Sequence, residues 1–369
     1  MKILILAQTP PPFHGQAIMQ KFLVDAKWEW CEKTHIRMNY SGEINEIGKF
    51  KISKVISLSK LVLKVWKERL KSKIDVIYYP PAGPDRIPFF RDIVTMLLIR
   101  WTARKIVFHF HAGGINRLLS RLNAIEELIA GVALKKPDAG IVLSKHYLNE
   151  ITWFRSKKEY VVPNGIEDVY PQYQSKHRGS VFTLLSVGII SEEKGIYDIL
   201  ECAKILKNSM KKFYWDIAGN FVSNEEAIKC NELIKEYKLE KNIRILGNVT
   251  GEEKWKIFNG ADLFVFLSKA YEAQPLVLLE AMMFELPVIA TINRGIPEII
   301  VDGLNGFLVP VNNPPAAAAK IKSLINDSGL RNKLGKQGRK RFLEHFTLEN
   351  HLNALEKVFK DTVIGNERN

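Results

Sequence analysis

The sequence predicts an α/β fold with two parallel-sheet domains. Three observations carry that prediction: apolar strand-like runs alternate with helical stretches, the alternation recurs in both halves of the 369-residue chain, and a polar stretch without periodicity separates the halves. In the first half the strand-like runs are KILILA from Lys2, IDVIYY from Ile74, KIVFHFH from Lys105, AGIVLS from Ala139 and KEYVVPN from Lys158. In the second half they are VFTLLSVG from Val181, FYWDIAGN from Phe213, NIRILG from Asn242, DLFVFLS from Asp262 and PVIAT from Pro287. The separator, NGIEDVYPQYQSKHRGS from Asn164, has the composition of an interdomain linker. Helices are expected to close the chain, with AAAA at Ala316 favouring one and FTLENHLNALEKVFK from Phe346 reading as an amphipathic one. A chain of this length suits about two domains, which we place at 1–165 and 166–345, with 346–369 as a terminal helix.

Composition narrows the function classes. Residues 1–165 carry 27 Lys plus Arg against 14 Asp plus Glu, a net +13, while residues 166–369 carry 27 against 26, a net +1. The densest part is KFKISKVISLSKLVLKVWKERLKSK, residues 49–73. Read as a helix, it puts Val55, Leu58, Val62 and Val65 on one face and Lys60, Lys64, Lys67 and Lys71 on the other. That stripe fits a solvated surface or an anionic membrane or acceptor. A nucleic-acid partner is not expected, because no recognition motif accompanies the charge. The scattered Cys31, Cys202 and Cys230 form no metal spacing and suit a reducing cytoplasm. MKILILAQTPPP has too short an apolar run for a signal-peptide core. No segment reaches the roughly 20 apolar residues a bilayer span needs; IVTMLLIRW from Ile93, interrupted by Arg100, reads as a core or interfacial helix.

The most informative stretch is LSKAYEAQPLVLLEAMMFELPVIATINRGIPEIIVDGLNGFLV, Leu267 to Val309. Its preceding strand, from Ala261 to Ser268, is apolar almost throughout, as in a sheet buried on both faces. Pro275 suits the first position of a helix running to about Phe284. Glu272 then falls at the carboxyl edge of the strand, where open parallel sheets bind ligands and a helix N-terminus can face a phosphate. Glu280 falls inside the helix between Leu278, Leu279, Ala281, Met282 and Met283. A carboxylate in such company requires partners, and a pair of ligand hydroxyls would supply them.

This segment resembles the signature of the retaining glycosyltransferases usually numbered family four, whose GT-B fold has two facing Rossmann-like domains and an interdomain cleft, and in which two Glu residues are separated by seven positions. The likeness continues through RGIPEII and DGLNGFLVP. It extends more weakly to PPPFHGQA, FHFHAGG, VVPNGIE, SVGIISEEKGIYDIL, DIAGN and IRILGNV, in the family's order. The resemblance implies that Glu272 binds donor-sugar hydroxyls and Glu280 the ribose of the nucleotide, with Gln274 and Leu276 beside them. It also implies that the last helix crosses back to the first domain.

Breaking the bond from the anomeric carbon to a diphosphate calls for positive charge at the leaving group. No Asp-x-Asp pair is available to hold a metal, so neither metal nor other cofactor is expected. Lys194 is the cation the resemblance selects. The family's usual arginine five residues earlier is replaced by Ile189, and Arg294, after the adjacent strand, is a candidate substitute. Ala273 replaces the family's common glycine, which points to altered donor selectivity. In the first domain the resemblance selects Gly15, whose missing side chain lets backbone approach a phosphate or sugar, and His111, beside the donor sugar. His109 and His111 share a strand face, but no third metal ligand is evident nearby. The expected function is transfer of a sugar from a nucleotide-sugar donor to a lipid-linked or surface-polysaccharide acceptor, with retention, at the cytoplasmic face of a membrane. A nucleotide-sugar epimerase of the same fold and a non-catalytic membrane-associated subunit are the alternatives. Sequence leaves the sugar, the base, the acceptor and the oligomeric state open.

Overall fold

The structure is a computed structural model that describes residues 1–11, 13–38, 52–173, 181–209 and 212–364. Pro12 of the first loop, Lys49 and Lys51 of the basic segment, residues 174–180 of the linker and residues 365–369 lie outside the described residues. The chain divides into two compact units, one of Met1–Gly165 with Leu348–Asn369 and the other of Ile166–Thr347.

In the first unit the elements are β1 (Lys2–Ala7), α1 (Gly15–Asp25), β2 (Glu32–Arg37), α2 (Ile52–Lys71), β3 (Ile74–Tyr79), α3 (Arg86–Ile99), β4 (Ala103–Phe110), α4 (Ile115–Leu119), α5 (Ala124–Leu134), β5 (Ala139–Val142) and β6 (Lys158–Val161). The strands form one parallel sheet in the order β2-β1-β3-β4-β5-β6. Parallel crossovers are right-handed. The step from β1 to β2 runs opposite to all later steps, so α1 covers one face of the sheet and α2, α3 and α5 cover the other. Contacts of α2 with α3 and of α3 with α5 follow from this arrangement.

The second unit holds β7 (Phe182–Val187), α6 (Ile196–Ser209), β8 (Phe213–Ala218), α7 (Asn224–Glu236), β9 (Ile243–Gly247), α8 (Gly251–Gly260), β10 (Leu263–Phe266), α9 (Leu276–Met283), β11 (Val288–Thr291), α10 (Ile296–Ile299), β12 (Gly306–Val309), α11 (Pro314–Asn326) and α12 (Ser328–His345). The sheet order is β12-β11-β10-β7-β8-β9, parallel throughout. The winding reverses between β7 and β10. This reversal opens a crevice at the carboxyl ends of those two strands, where doubly wound sheets take ligands. Inside the sheet, the Trp215 indole N–H donates to Ser186 Oγ at 3.0 Å and that hydroxyl donates to Val265 O at 2.7 Å, so both buried side chains are paired.

The last helix, α13 (Leu348–Ile364), belongs to the first unit, where Leu355, Val358 and Phe359 pack with Ile3, Ile5, Tyr78 and Val107. It also touches α1.

Each sheet has one strand more than the sequence reading supplied. β2, EKTHIR, is a polar edge strand with one buried residue, Ile36. β12, GFLV, is four residues long and starts on glycine. Helix α2 also differs from its expected face pattern. Leu61, Val62 and Val65 are buried, but Val55 is half exposed, and Leu63, Trp66 and Leu70 share the solvent side with the lysines. Pro275 caps α9 one residue before its first turn.

Candidate functional site

Backbone shape places Lys194 at the β7 end of the crevice. The chain leaves β7 through a tight turn in which the Lys194 N–H donates to Ser191 O at 3.1 Å. Gly195 follows at φ +85°, and a Cβ there would sit 2.1 Å from Leu267 O, so glycine lets this turn press against the end of β10. The Lys269 and Ala270 N–H groups close the junction by donating to Glu193 O at 2.8 and 3.0 Å. The loops after β7 and β10 are thereby held as one surface.

On that surface Lys194 Nζ lies 2.5 Å from Glu272 Oε1, and Ser268 Oγ donates to the same oxygen at 2.7 Å. Glu272 is buried, whereas the lysine side chain is one-third exposed. The backbone under the pair is braced from β11: Thr291 Oγ1 donates to Ser268 O at 2.6 Å, and Asn293 Nδ2 donates to Ala270 O at 2.6 Å. Gly295 completes the brace, since a Cβ there would lie 1.9 Å from Ala273 O. Each of these contacts fixes the carboxylate without needing a ligand.

Helix α9 begins four residues after Glu272. Its cap, Pro275, offers no side-chain hydrogen bond and the Leu278 N–H donates to Pro275 O at 3.2 Å, so the two amides before it are the ones a ligand oxygen could meet. Leu276 is the first helical residue and is partly buried against the apolar cluster that holds α9 on the sheet, while Gln274 is buried just ahead of the helix. Just over one turn into the helix stands Glu280, buried as its neighbours predict. Oε1 accepts from Lys254 Nζ at 2.5 Å. Oε2 has no hydrogen-bond partner among the described residues. A buried carboxylate oxygen without a partner is costly, and an external hydroxyl would satisfy it. Arg294, at φ +51°, lies with its guanidinium 4.1 Å from the centre of the exposed Tyr271 ring. Stacking keeps that cation beside the Glu272 loop.

Gly15 and His111 belong to the first unit. Gly15 is the exposed first residue of α1, capped by His14, whose Nδ1 accepts from the Ala17 N–H at 3.3 Å. His111 follows β4 directly. Tyr78 Oη lies 2.9 Å from His109 Nδ1 and 3.4 Å from His111 Nε2, and the two imidazoles are 4.0 Å apart between ring centres. His351 of α13 joins them, its Nδ1 2.6 Å from Pro163 O. Burial pushes all three imidazoles toward the neutral form. His111 drops to about 3 and His351 to about 4, with each other's charge as a further cause for His111. His109 lies well below its usual value for the same reasons. At neutral pH these rings offer hydrogen bonds, not charge.

Two residues of the site escaped the sequence reading. Ser268 was visible only as the last residue of a strand, and its hydroxyl on Glu272 follows from the tight turn after β10. Lys254 reaches Glu280 from α8, 26 residues away, and no local pattern announces such a pairing.

Residues 172–341 match the family model described as "Glycosyl transferases group 1". The chain is 30% identical over 192 residues to a putative colanic acid biosynthesis glycosyltransferase, WcaL, of Salmonella typhimurium, covering 50% of this chain and 43% of that one. It is 28% identical over 178 residues to the capsular polysaccharide biosynthesis glycosyltransferase CapM of Staphylococcus aureus, covering 48% and 46% respectively. The match thus spans about half the length of these curated relatives. Among solved structures, sucrose-phosphate synthase of Thermosynechococcus elongatus has a TM-score of 0.75 at 17% identity over 99% of this chain and 100% of that one. Anabaena HepE, solved with UDP and glucose, has a TM-score of 0.72 at 17% identity over 98% and 99%. These likenesses establish the GT-B fold, with its two parallel six-stranded sheets.

Proposed function

We propose that this chain, whose residues 172–341 match the group 1 glycosyltransferase family model, is a retaining glycosyltransferase of the family-four kind, moving a sugar from a nucleoside-diphosphate donor to a lipid-linked or cell-surface polysaccharide acceptor. The observation that carries the reading is the pairing of Lys194 with Glu272 at the β7–β10 reversal, beside a helix whose Glu280 keeps one buried oxygen without a partner. Glu280 would accept from the ribose hydroxyls and Glu272 from the sugar hydroxyls. Lys194, the α9 amides and Arg294 would meet the charge that grows on the diphosphate. This grip uses no metal. The polysaccharide acceptor class is supported by the names of the WcaL and CapM relatives.

In the reaction, the acceptor oxygen attacks the anomeric carbon on the face from which the diphosphate leaves. The bond from that carbon to the phosphate oxygen breaks, its electron pair stays with the phosphate, and the acceptor proton passes to that oxygen. Retention results without a dedicated base. In the first unit, neutral His111 would hydrogen-bond the sugar and Gly15 would admit it close to the backbone. Residues 1–165 with their net +13 would hold an anionic acceptor at the inner face of a membrane.

The test is a screen of nucleoside-diphosphate sugars by thermal shift, followed by turnover with a lipid-linked acceptor and determination of the product anomer. A retained anomer is expected. An inverted product would reject the mechanism, and sugar isomers formed without acceptor would favour the epimerase.

A further inference from the structure

Helices α3 and α5 lie side by side on one face of the first sheet and each carries an apolar stripe on the side away from that sheet. Along α3 and the turn after it, Ile87, Val94, Leu97, Leu98 and Trp101 are exposed at the spacing of one helical face, while Phe89, Ile93, Met96 and Ile99 fill the core side. Along α5, Ile125, Leu128, Ile129 and Val132 repeat the pattern, with Leu128 69% and Val132 67% exposed. Leu63, Trp66 and Leu70 of α2 extend the apolar surface beyond α3. Exposed apolar surface this continuous marks a docking face.

Charge and aromatic placement identify the occupant. Trp66 and Trp101 lie 6.3 Å apart, and both indole N–H groups donate to Leu98 O, at 3.0 and 2.9 Å. Their polar atoms are satisfied within the protein, which leaves hydrocarbon facing outward. Exposed Lys60, Lys64, Lys67 and Lys71 run along α2 beside this surface. At the opposite end, Arg86, Arg117 and Arg121 line a recess of about 350 Å³. The two carboxylates of α5 are already engaged, Glu126 by Arg86 and Glu127 by Lys135. In a symmetric dimer through this face, residue i of one copy meets residue j of the other and j meets i, so cationic groups at both ends of the face would confront cationic groups of the second copy. An anionic lipid surface meets both needs, apolar depth and negative headgroups.

We propose that the outer faces of α3 and α5, with Trp66 and Trp101, insert into the headgroup boundary of an anionic bilayer while Lys60, Lys64 and Lys67 of α2 and Arg117 and Arg121 of the recess take lipid phosphates. The inference deepens the membrane reading above and names apolar insertion, beyond the lysine stripe, as what holds the protein there.

Sedimentation of the full chain with vesicles of phosphatidylglycerol and phosphatidylcholine, against phosphatidylcholine alone, tests it. Wild-type protein should bind the anionic vesicles, and lipids brominated in the acyl chain should quench fluorescence by an amount that Trp66→Phe/Trp101→Phe removes. The variant Leu128→Gln/Val132→Gln, neutral and at exposed positions, should keep the wild-type melting temperature and lose on the order of tenfold affinity or more. Unchanged affinity in that variant, with loss in Lys60→Gln/Lys64→Gln/Lys67→Gln/Lys71→Gln, would overturn apolar insertion and leave peripheral binding standing. No binding to either vesicle, or a concentration-dependent dimer abolished by Leu128→Gln/Val132→Gln, would overturn both. Transfer to a water-soluble acceptor analogue should be the same in wild type and in Leu128→Gln/Val132→Gln.

Discussion

Lowering the pH from 7 to 5 should remove about 2 kcal/mol from the stability of the first unit through His351 alone. Burial holds that imidazole at about 4, against an ordinary value of 6.5. The unfolded chain therefore takes up a proton as the pH falls through 6.5, and the folded chain refuses it until about 4. The contribution is full above 6.5 and declines as the pH drops toward 4. Its whole span is about 3.4 kcal/mol, from 1.36 kcal/mol per pKa unit, and roughly 2 kcal/mol of it falls between pH 7 and 5. His111, held at about 3, adds a loss of the same sign over the same window. Native-state hydrogen exchange of the β1 and β4 amides, corrected for intrinsic rates, reads this unit without requiring the whole chain to unfold together. In His351→Gln the pH slope should shrink by His351's share, because glutamine does not titrate. Protection that is flat from pH 7 to 5, or a slope unchanged in His351→Gln, would refute the reasoning.

Three further outcomes are expected. Lys194→Met should lower turnover about a hundredfold or more and cost about 1 kcal/mol of stability, a value discounted for the exposure of the lysine; a wild-type rate would remove Lys194 from the chemistry. Gly195→Ala forces a side chain to φ +85° and 2.1 Å from Leu267 O, so urea denaturation should show a loss of about 2–5 kcal/mol, and a change within about 0.5 kcal/mol would contradict the close packing of the two loops. Glu280→Gln should weaken donor binding by about tenfold, equivalent to about 1.4 kcal/mol, with kcat at saturating donor little changed; equal loss in kcat and affinity would place Glu280 at the reacting atoms.

The strands were legible where burial on both faces forces a continuous apolar run, as in KILILA, IDVIYY and DLFVFLS. β2 was not, because an edge strand keeps charged residues outward at no cost, and EKTHIR buries only Ile36. β12 was not, because four residues beginning with glycine carry too little pattern. At the site, Glu272 and Lys194 were each singled out from sequence, and the structure shows them in contact. Ser268 and Lys254 act through tertiary placement that neither composition nor spacing encodes. IVTMLLIRW of α3 could be read as a helix, but periodicity does not say which flank a neighbour covers, and α5 had no reading from sequence. The exposed side of each emerged only with the sheet order.

The proposed activity requires that the β7–β10 edge hold a sugar nucleotide between Glu272 and Glu280. Calorimetric titration of the intact chain with a panel of nucleoside-diphosphate sugars measures this most directly, with Glu272→Gln and Glu280→Gln beside the wild type. We expect one donor to bind, its free nucleoside diphosphate to lose affinity with Glu280→Gln but not with Glu272→Gln, and the sugar-dependent part of the affinity to vanish with Glu272→Gln. Binding of a donor that neither substitution alters would contradict the account.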